Sequence, residues 1–211
     1  MSAVKTVSPR PAPRSRSRET ERRLKAAVLA LMDDGGLDSC TAPAIATHAG
    51  VAVGTIYARY PDKDALIAAA LLDMVALADG ADEVYAAIVD DARDLEAFLR
   101  AVTTMAVRVT REHRTLLLAM REFVRHVSDA DWRARFKADQ GRGRGLILDA
   151  AVKRFGHEVR GGETALRMSL AAIYGAVEAT WLEPTAGLFD DAPDPDAFVA
   201  ALVEMQTCYL A

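Results

Sequence analysis

Residues 41–60, TAPAIATHAGVAVGTIYARY, constrain this chain more than any other stretch. They read as two short helices joined by a tight turn. Thr41 can cap the first, its hydroxyl accepting from an early helical N–H that has no other partner. Pro43 is tolerated so near a helix start, where the first-turn N–H groups are orphans anyway. Ile45, Ala46 and Ala49 share one face. Gly50 can adopt positive φ, which ends the helix and opens the turn. Val51 returns to the core. A second helix is expected from about Ala52 or Val53, with Ile56 facing inward and Gly54, Thr55, Ala58 and Arg59 facing outward. A helix that exposes Gly, Thr and Ala can approach a partner backbone closely. Tyr60-Pro61 stops it, because the residue before proline disfavours the α region. Asp62 then caps a further helix with Lys63 in its first turn. A second helix so poor in bulky apolar surface is what a helix-turn-helix shows when that helix lies in a DNA groove.

The chain upstream supports the same unit. Leu24, Ala27, Val28, Leu31 and Met32 form one stripe of an amphipathic helix, which Gly35-Gly36 ends. Three helices over residues 18 to about 60 result, with a fourth running out of them.

These residues resemble the tetracycline-repressor (TetR) family of bacterial transcription regulators. The resemblance rests on Ala26-Ala27, Gly36, Thr41, Ile45-Ala46, Ala49-Gly50-Val51, Gly54-Thr55-Ile56-Tyr57, Tyr60-Pro61, Lys63 and Leu66. It spans residues 18 to 72 in one register without gaps. Three positions depart from the pattern. Ala52 stands where members often carry a Ser or Thr cap for the recognition helix. Tyr60 replaces a more usual Phe. Pro43 and Ala44 stand where many members have charged residues, which implies fewer phosphate contacts from the second helix.

Net charge is −4, which taken alone argues against nucleic acid. Its distribution argues the other way: residues 1–63 carry +4 and the remainder −8. A basic head on an acidic body suits a DNA reader whose body must not adhere to phosphate. Residues 1–17 read as a disordered basic arm, with Pro9, Pro11 and Pro13 among scattered Arg and Ser. Two readings stand for it: an arm on DNA, or a solvated tail. No apolar run suggests a membrane span and the N-terminus lacks a secretory h-region, so a cytoplasmic protein is expected. Cys40 and Cys208 form no CxxC pattern.

Beyond residue 72 the periodicity is helical throughout. Ile67, Ala70, Leu71, Met74, Val75 and Ala78 stripe a fourth helix. Leu95, Phe98, Leu99, Val102, Ala106 and Val109 stripe a fifth. Residues 114–127 are apolar nearly all round, which predicts a central, buried sixth helix. Asp129 or Asp131 caps a seventh. Leu166, Leu170, Ile173, Tyr174, Val177 and Trp181 stripe an eighth. Asp194-Pro195 opens a ninth, with Phe198, Leu202, Met205 and Tyr209 on one side. The expected fold is therefore all-α, with about nine helices: a helix-turn-helix head over 18–63 and a larger helical ligand-binding and dimerisation body over 64–211.

Other signals carry a bland reading beside a sharp one. Gly141-Arg-Gly-Arg-Gly145 looks like a phosphate cradle, but it follows no strand and lacks P-loop lysine spacing; a kink in a long helix is the alternative. His113 and His126 with Glu112 and Glu122 offer no evident third metal ligand, so no metal or cofactor is expected. Cys40 sits at the edge of the head, where oxidation could disturb it. No catalytic motif is found: GxSxG, HExxH and the Rossmann glycines are all missing.

Three functions fit. The first is a sequence-specific, DNA-binding transcription regulator. The second is a helical ligand-binding protein or enzyme whose head only resembles a helix-turn-helix. The third is a non-specific architectural DNA-binder. On the first, the DNA-binding residues are Thr41, Thr47, Val53, Gly54, Thr55, Tyr57, Ala58, Arg59 and Lys63. Thr55 and Arg59 reach base edges, while Tyr57 and Lys63 hold phosphates. The resemblance implies repression as the default, a small-molecule effector, and a ligand-driven shift of helix 4 that respaces two heads on double-stranded operator DNA. Candidate effector contacts are Met105, Met120, Phe123, Trp132, Phe136 and Tyr174. One recognition helix makes too few contacts for specific affinity, so a homodimer is expected. Its interface would use Met168, Ala172, Gly175, Ala176 and Ala179 of helix 8 with Val199, Val203 and Leu210 of helix 9.

Overall fold

The computed structural model describes residues 13–77, 87–185, 189 and 191–211. We number the helices α1 (Pro13–Gly35), α2 (Ala42–Ala49), α3 (Gly54–Tyr57), α4 (Lys63–Leu77), α5 (Leu95–Glu112), α6 (Arg114–His126), α7 (Ala130–Phe155), α8 (Gly162–Val177) and α9 (Pro195–Leu210). A 3₁₀ turn, Leu37–Ser39, joins α1 to α2, and a π-helical turn, Glu178–Leu182, extends α8. No strand occurs among the described residues. The all-α architecture is thus as the periodicity requires. Helix α1 begins at Pro13, so residues 13–17 of the expected arm are helical; residues 1–12, and Ala78 of the α4 stripe, lie outside the described residues.

Two apolar cores organise the chain. The first gathers Leu24, Val28 and Met32 of α1, Ile45 of α2, Ile56 of α3 and Leu66, Ile67 and Leu71 of α4, all fully buried. It also takes in Met120 and Phe123 of α6 and Trp132 and Phe136 of α7. The boundary expected at residue 63 therefore cuts through a core. A three-helix head of this size buries too little apolar surface alone, and α4, α6 and the start of α7 complete it. The second core joins Phe98, Leu99 and Val102 of α5, Ile147 and Ala151 of α7, Leu166 and Ile173 of α8, and Leu202 and Val203 of α9. Arg154 of α7 ties in residues 87–92 by donating to the carbonyls of Val89 at 2.6 Å, Asp90 at 2.8 Å and Ala92.

Three expectations of burial are corrected. Helix α6 is not buried all round: only Ala119, Met120 and Phe123 are, and Leu116, Leu117 and Leu118 are half-buried. It lies between α1 and the body, so one face stays near solvent. Val109 of α5 is exposed rather than core. On α9 the inner face is Val199, Leu202, Val203, Gln206 and Leu210, and Met205 and Tyr209 point out at 56% and 52% exposure. A helix rich in apolar residues on several sides does not declare which side the neighbours will cover.

The run Gly141–Gly145 neither cradles a phosphate nor breaks the chain. It lies inside the continuous helix α7. A Cβ at Gly141 or Gly145 would meet nothing within 4 Å, so no close packing requires these glycines.

Candidate DNA-binding head and adjoining cavity

The turn of the helix-turn-helix is built from the residues that the local chemistry singles out. Thr41 is extended, at φ −86° and ψ 150°, and its Oγ1 accepts from Ala44 N at 3.3 Å. Pro43 falls in the first turn of α2. Gly50 is left-handed at φ 63° and ψ 44°. The Val51 N–H donates to Ala46 O at 2.9 Å and the Gly50 N–H to Thr47 O at 3.1 Å, the paired bonds of a Schellman motif. Arg23 of α1 seals this corner by donating to the carbonyls of Ala49 and Gly50. Its role escapes a local reading, because the two partners lie 26 and 27 residues away.

Helix α3 has a regular core of only four residues, but its hydrogen bonds start earlier and end later. Thr55 N donates to Ala52 O at 2.9 Å, and Tyr60 N to Ile56 O at 2.9 Å. No side chain caps its start, as Ala52 implies. Ile56 is fully buried, and it alone of α3 anchors the helix. Val53, Gly54, Tyr57, Ala58 and Arg59 are exposed and Thr55 is half-exposed. Arg59 Nη1 lies 3.3 Å from Thr55 O, held over its own helix. Thr41, the N-cap of α2, and Thr47 within it are exposed as well. Asp62 caps α4 by accepting from Ala65 N at 2.8 Å, and Lys63 Nζ sits 3.0 Å from Asp64. The outward face is thus small residues around one Tyr and one Arg, with a Lys at the start of the next helix. Cys40 is buried, and burial pushes its thiol pKa up, which makes it unreactive.

Behind the head lies a cavity of about 630 Å³. Helix α5 contributes Met105, Ala106, Val109 and Thr110; α6 contributes Leu117, Met120, Arg121, Val124 and Arg125; α7 contributes Phe136, Gln140 and Arg144. Tyr174, Val177, Glu178, Leu182 and Glu183 close it from α8 and the π-helical turn. Of the six residues proposed from sequence, Met105, Met120, Phe136 and Tyr174 line the cavity. Phe123 and Trp132 do not. They meet edge to face in the first core, with ring centroids 5.6 Å apart, and Trp132 Nε1 donates to Ala68 O of α4 at 3.0 Å. The three arginines were missed. Arg121 and Arg125 share the cavity face of α6 with Leu117 and Val124, a mixed stripe that reads equally as solvated surface. Arg144 enters only because α7 packs on α8, which puts its guanidinium 4.9 Å from the centre of the Tyr174 ring.

The cavity's charges are unevenly paired. Arg121 bridges Glu178 at 2.6 Å and Glu183 at 2.8 Å, carboxylates that the π-helical turn sets side by side. Arg125 is 4.0 Å from Glu183. No acid of the described residues lies within ion-pair distance of Arg144. Helix α4 contributes nothing to the lining. Elsewhere, His113 Nδ1 sits 2.9 Å from Asp33 of α1, and His126 Nδ1 lies 2.8 Å from Glu122 O. Among the described residues no group of three metal-ligating side chains exists, and no helix is long and apolar enough to cross a membrane.

Fold and exposed helix together define a helix-turn-helix DNA-binding protein with a helical body. Residues 24–70 match the model of the bacterial regulatory proteins of the TetR family. Solved structures match nine-tenths or more of the chain. FadR of Bacillus subtilis, in complex with stearoyl-CoA, aligns over 90% of this chain and 99% of its own at 16% identity, with a TM-score of 0.64. FadR of Bacillus halodurans aligns over 94% and 96% at 16% identity and 0.61. A TetR regulator from Rhodococcus aligns over 93% and 99% at 20% identity and 0.52. No curated protein sequence matches the chain. The head thus matches the TetR family of bacterial regulatory proteins over residues 24–70, and the chain shares the fold of solved regulators of that kind.

Proposed function

We propose that this chain is a homodimeric transcription regulator that binds operator DNA through α3 and releases it when a small molecule fills the cavity. Helix α6 is the observation that carries this reading. One of its faces lines the cavity, and it packs along α1 of the head. A molecule that moves α6 therefore acts on the head directly. The route to α4 is indirect, through Trp132 of α7 and its bond to Ala68. The ligand must favour one of two head arrangements over the other, since only differential affinity shifts an equilibrium. FadR of Bacillus subtilis, whose fold the chain shares, holds stearoyl-CoA, which supports an effector role for this body.

Dimerisation uses the exposed side of α8 and α9. Met168, Ala172 and Gly175 are exposed, with Ala176 and Ala179 half-buried beside them. Val199, Val203 and Leu210 drop out of the interface first expected, because each is already buried within the single chain, at 6%, 1% and 1% exposure. Met205 and Tyr209, on the outer side of α9, take their place. Small residues on α8 permit close approach of a second copy, and the large flanking side chains supply apolar area.

The test is selection of binding sites from random DNA. The expected product is a near-palindrome, with one dimer per site by sedimentation. Arginine at both Ala172 and Ala176 should give folded monomers that bind it far more weakly. Enrichment of no sequence, or equal binding by monomers, would refute the reading.

A further inference from the structure

We propose that the cavity takes an organic anion with an apolar body, and that Arg144 reads its charge. This deepens the regulatory reading above and rests on it. The cavity's volume is that of a site for a small organic molecule. Its walls are mostly apolar, and two of them, Met105 and Met120, are flexible thioethers that adapt to a ligand's shape. Val109 is 39% exposed and lines the cavity, so an occupant can cover apolar area there.

The charge follows from the pairing. Three arginines and two glutamates line the site. Arg121 uses both glutamates at short distance, and Arg125 reaches one of them only at 4.0 Å. Arg144 is left over the Tyr174 ring with no carboxylate in reach among the described residues. A guanidinium against an aromatic face keeps its N–H edge available, and that edge matches a carboxylate, sulfonate or phosphate in the plane of the fork. A cationic ligand would instead have to displace Arg121 from Glu178 and Glu183. The glycine-rich turn of α7 that carries Arg144 has room beside it: a Cβ at Gly141 or Gly145 meets no atom within 4 Å. Glycine also lowers the helix propensity of that turn, so the segment can adjust to a bound head group.

Two fluorescent probes separate charge from apolar contact: anilinonaphthalene sulfonate, and its uncharged parent, phenylnaphthylamine. The full chain should bind the sulfonate more tightly than the parent. Arg144→Gln should weaken the sulfonate about ten-fold, the loss of one charge-assisted hydrogen bond, and leave the parent unchanged. Arg144→Lys should recover part of the difference. Displacement by laurate or by lauroyl-coenzyme A then distinguishes a carboxylate from the phosphates of a coenzyme as the source of the anion. Equal affinity for the two probes, no effect of Arg144→Gln, or no binding of either probe overturns the proposal. Because binding is read without DNA, these failures are distinct from failure of the regulatory reading. Release of a selected DNA site by the neutral parent alone would keep the regulator and overturn the anion.

Discussion

Arg23 and Gly50 are fitted to each other: a Cβ at Gly50 would stand 2.5 Å from Arg23 Nη2, which itself donates to the Gly50 carbonyl at 3.2 Å. The glycine is thus favoured by its φ of 63°, and a side chain there would push the Arg23 guanidinium off its carbonyls. Gly50→Ala is expected to destabilise the head by about 1–2 kcal/mol from the left-handed backbone alone, with more from loss of the Arg23 bonds. Gly54 is the control, since a Cβ there meets nothing within 4 Å. Gly54→Ala should raise the melting temperature, because alanine favours helix by up to about 1 kcal/mol. It should also weaken DNA binding, because the methyl sits on the outward face of α3. Thermal melts and operator titrations of both variants check the pair.

Arg59 and Lys63 should separate base reading from phosphate anchoring. Arg59 is exposed on α3, and Arg59→Ala should lose discrimination at particular operator positions by about 1–3 kcal/mol each. Lys63, at the start of α4, has only the neighbouring Asp64 as ion-pair partner among the described residues. Lys63→Ala should weaken all sequences alike and flatten the salt dependence by about one phosphate's worth. Binding across operator variants and salt concentrations measures both. Unaltered sequence preference in the Arg59 variant would remove it from the base contacts.

Ser169 of α8 is fully buried in the body, and its hydroxyl has no hydrogen-bond partner. A buried hydroxyl in that state costs stability rather than adding it. Ser169→Ala should therefore stabilise the chain by about 1 kcal/mol, measured by the denaturant midpoint at unchanged slope. A loss of stability would mean that the hydroxyl is bonded in solution.

Lys25 joins α1 to α4, with Nζ 2.8 Å from Glu21 and 2.7 Å from Asp73. Burial pulls its pKa down, but the bonds to Asp73 and Glu21 outweigh burial and leave it above 10.5. The hydrogen bond from Lys25 holds Glu21 below 4.5. A depressed acid stabilises above its unfolded value and loses that contribution as pH falls through the folded one. A raised lysine stabilises below its unfolded value and loses it as pH rises through the folded one. The stability gap between the wild type and Lys25→Met should therefore be flat between these limits and close at both ends. Its size should be about 1 kcal/mol or less, because Glu21 and Asp73 are half-exposed and screened. Urea melts over a pH series give the profile.

The sequence by itself determined the head. Thr41, Pro43, Gly50, Pro61 and Asp62 act on backbone groups within four residues of themselves, so cap, turn and stop are legible without a fold. The same holds for helix existence along the body, where periodicity reports amphipathic faces. The tertiary structure decided which faces are used. Val109 and Leu99 stand on one sequence stripe, yet one lines a cavity and the other is core, because the neighbours of α5 change along its length. Val203 and Met205 are both apolar on α9, and only packing against α5 and α8 makes the first interior and the second surface. The cavity's arginines were illegible for the same reason. Whether a helical Arg meets solvent, a glutamate or a tyrosine ring depends on elements far away in sequence. Those contacts are fixed by the summed burial of whole helix faces, which no local pattern encodes.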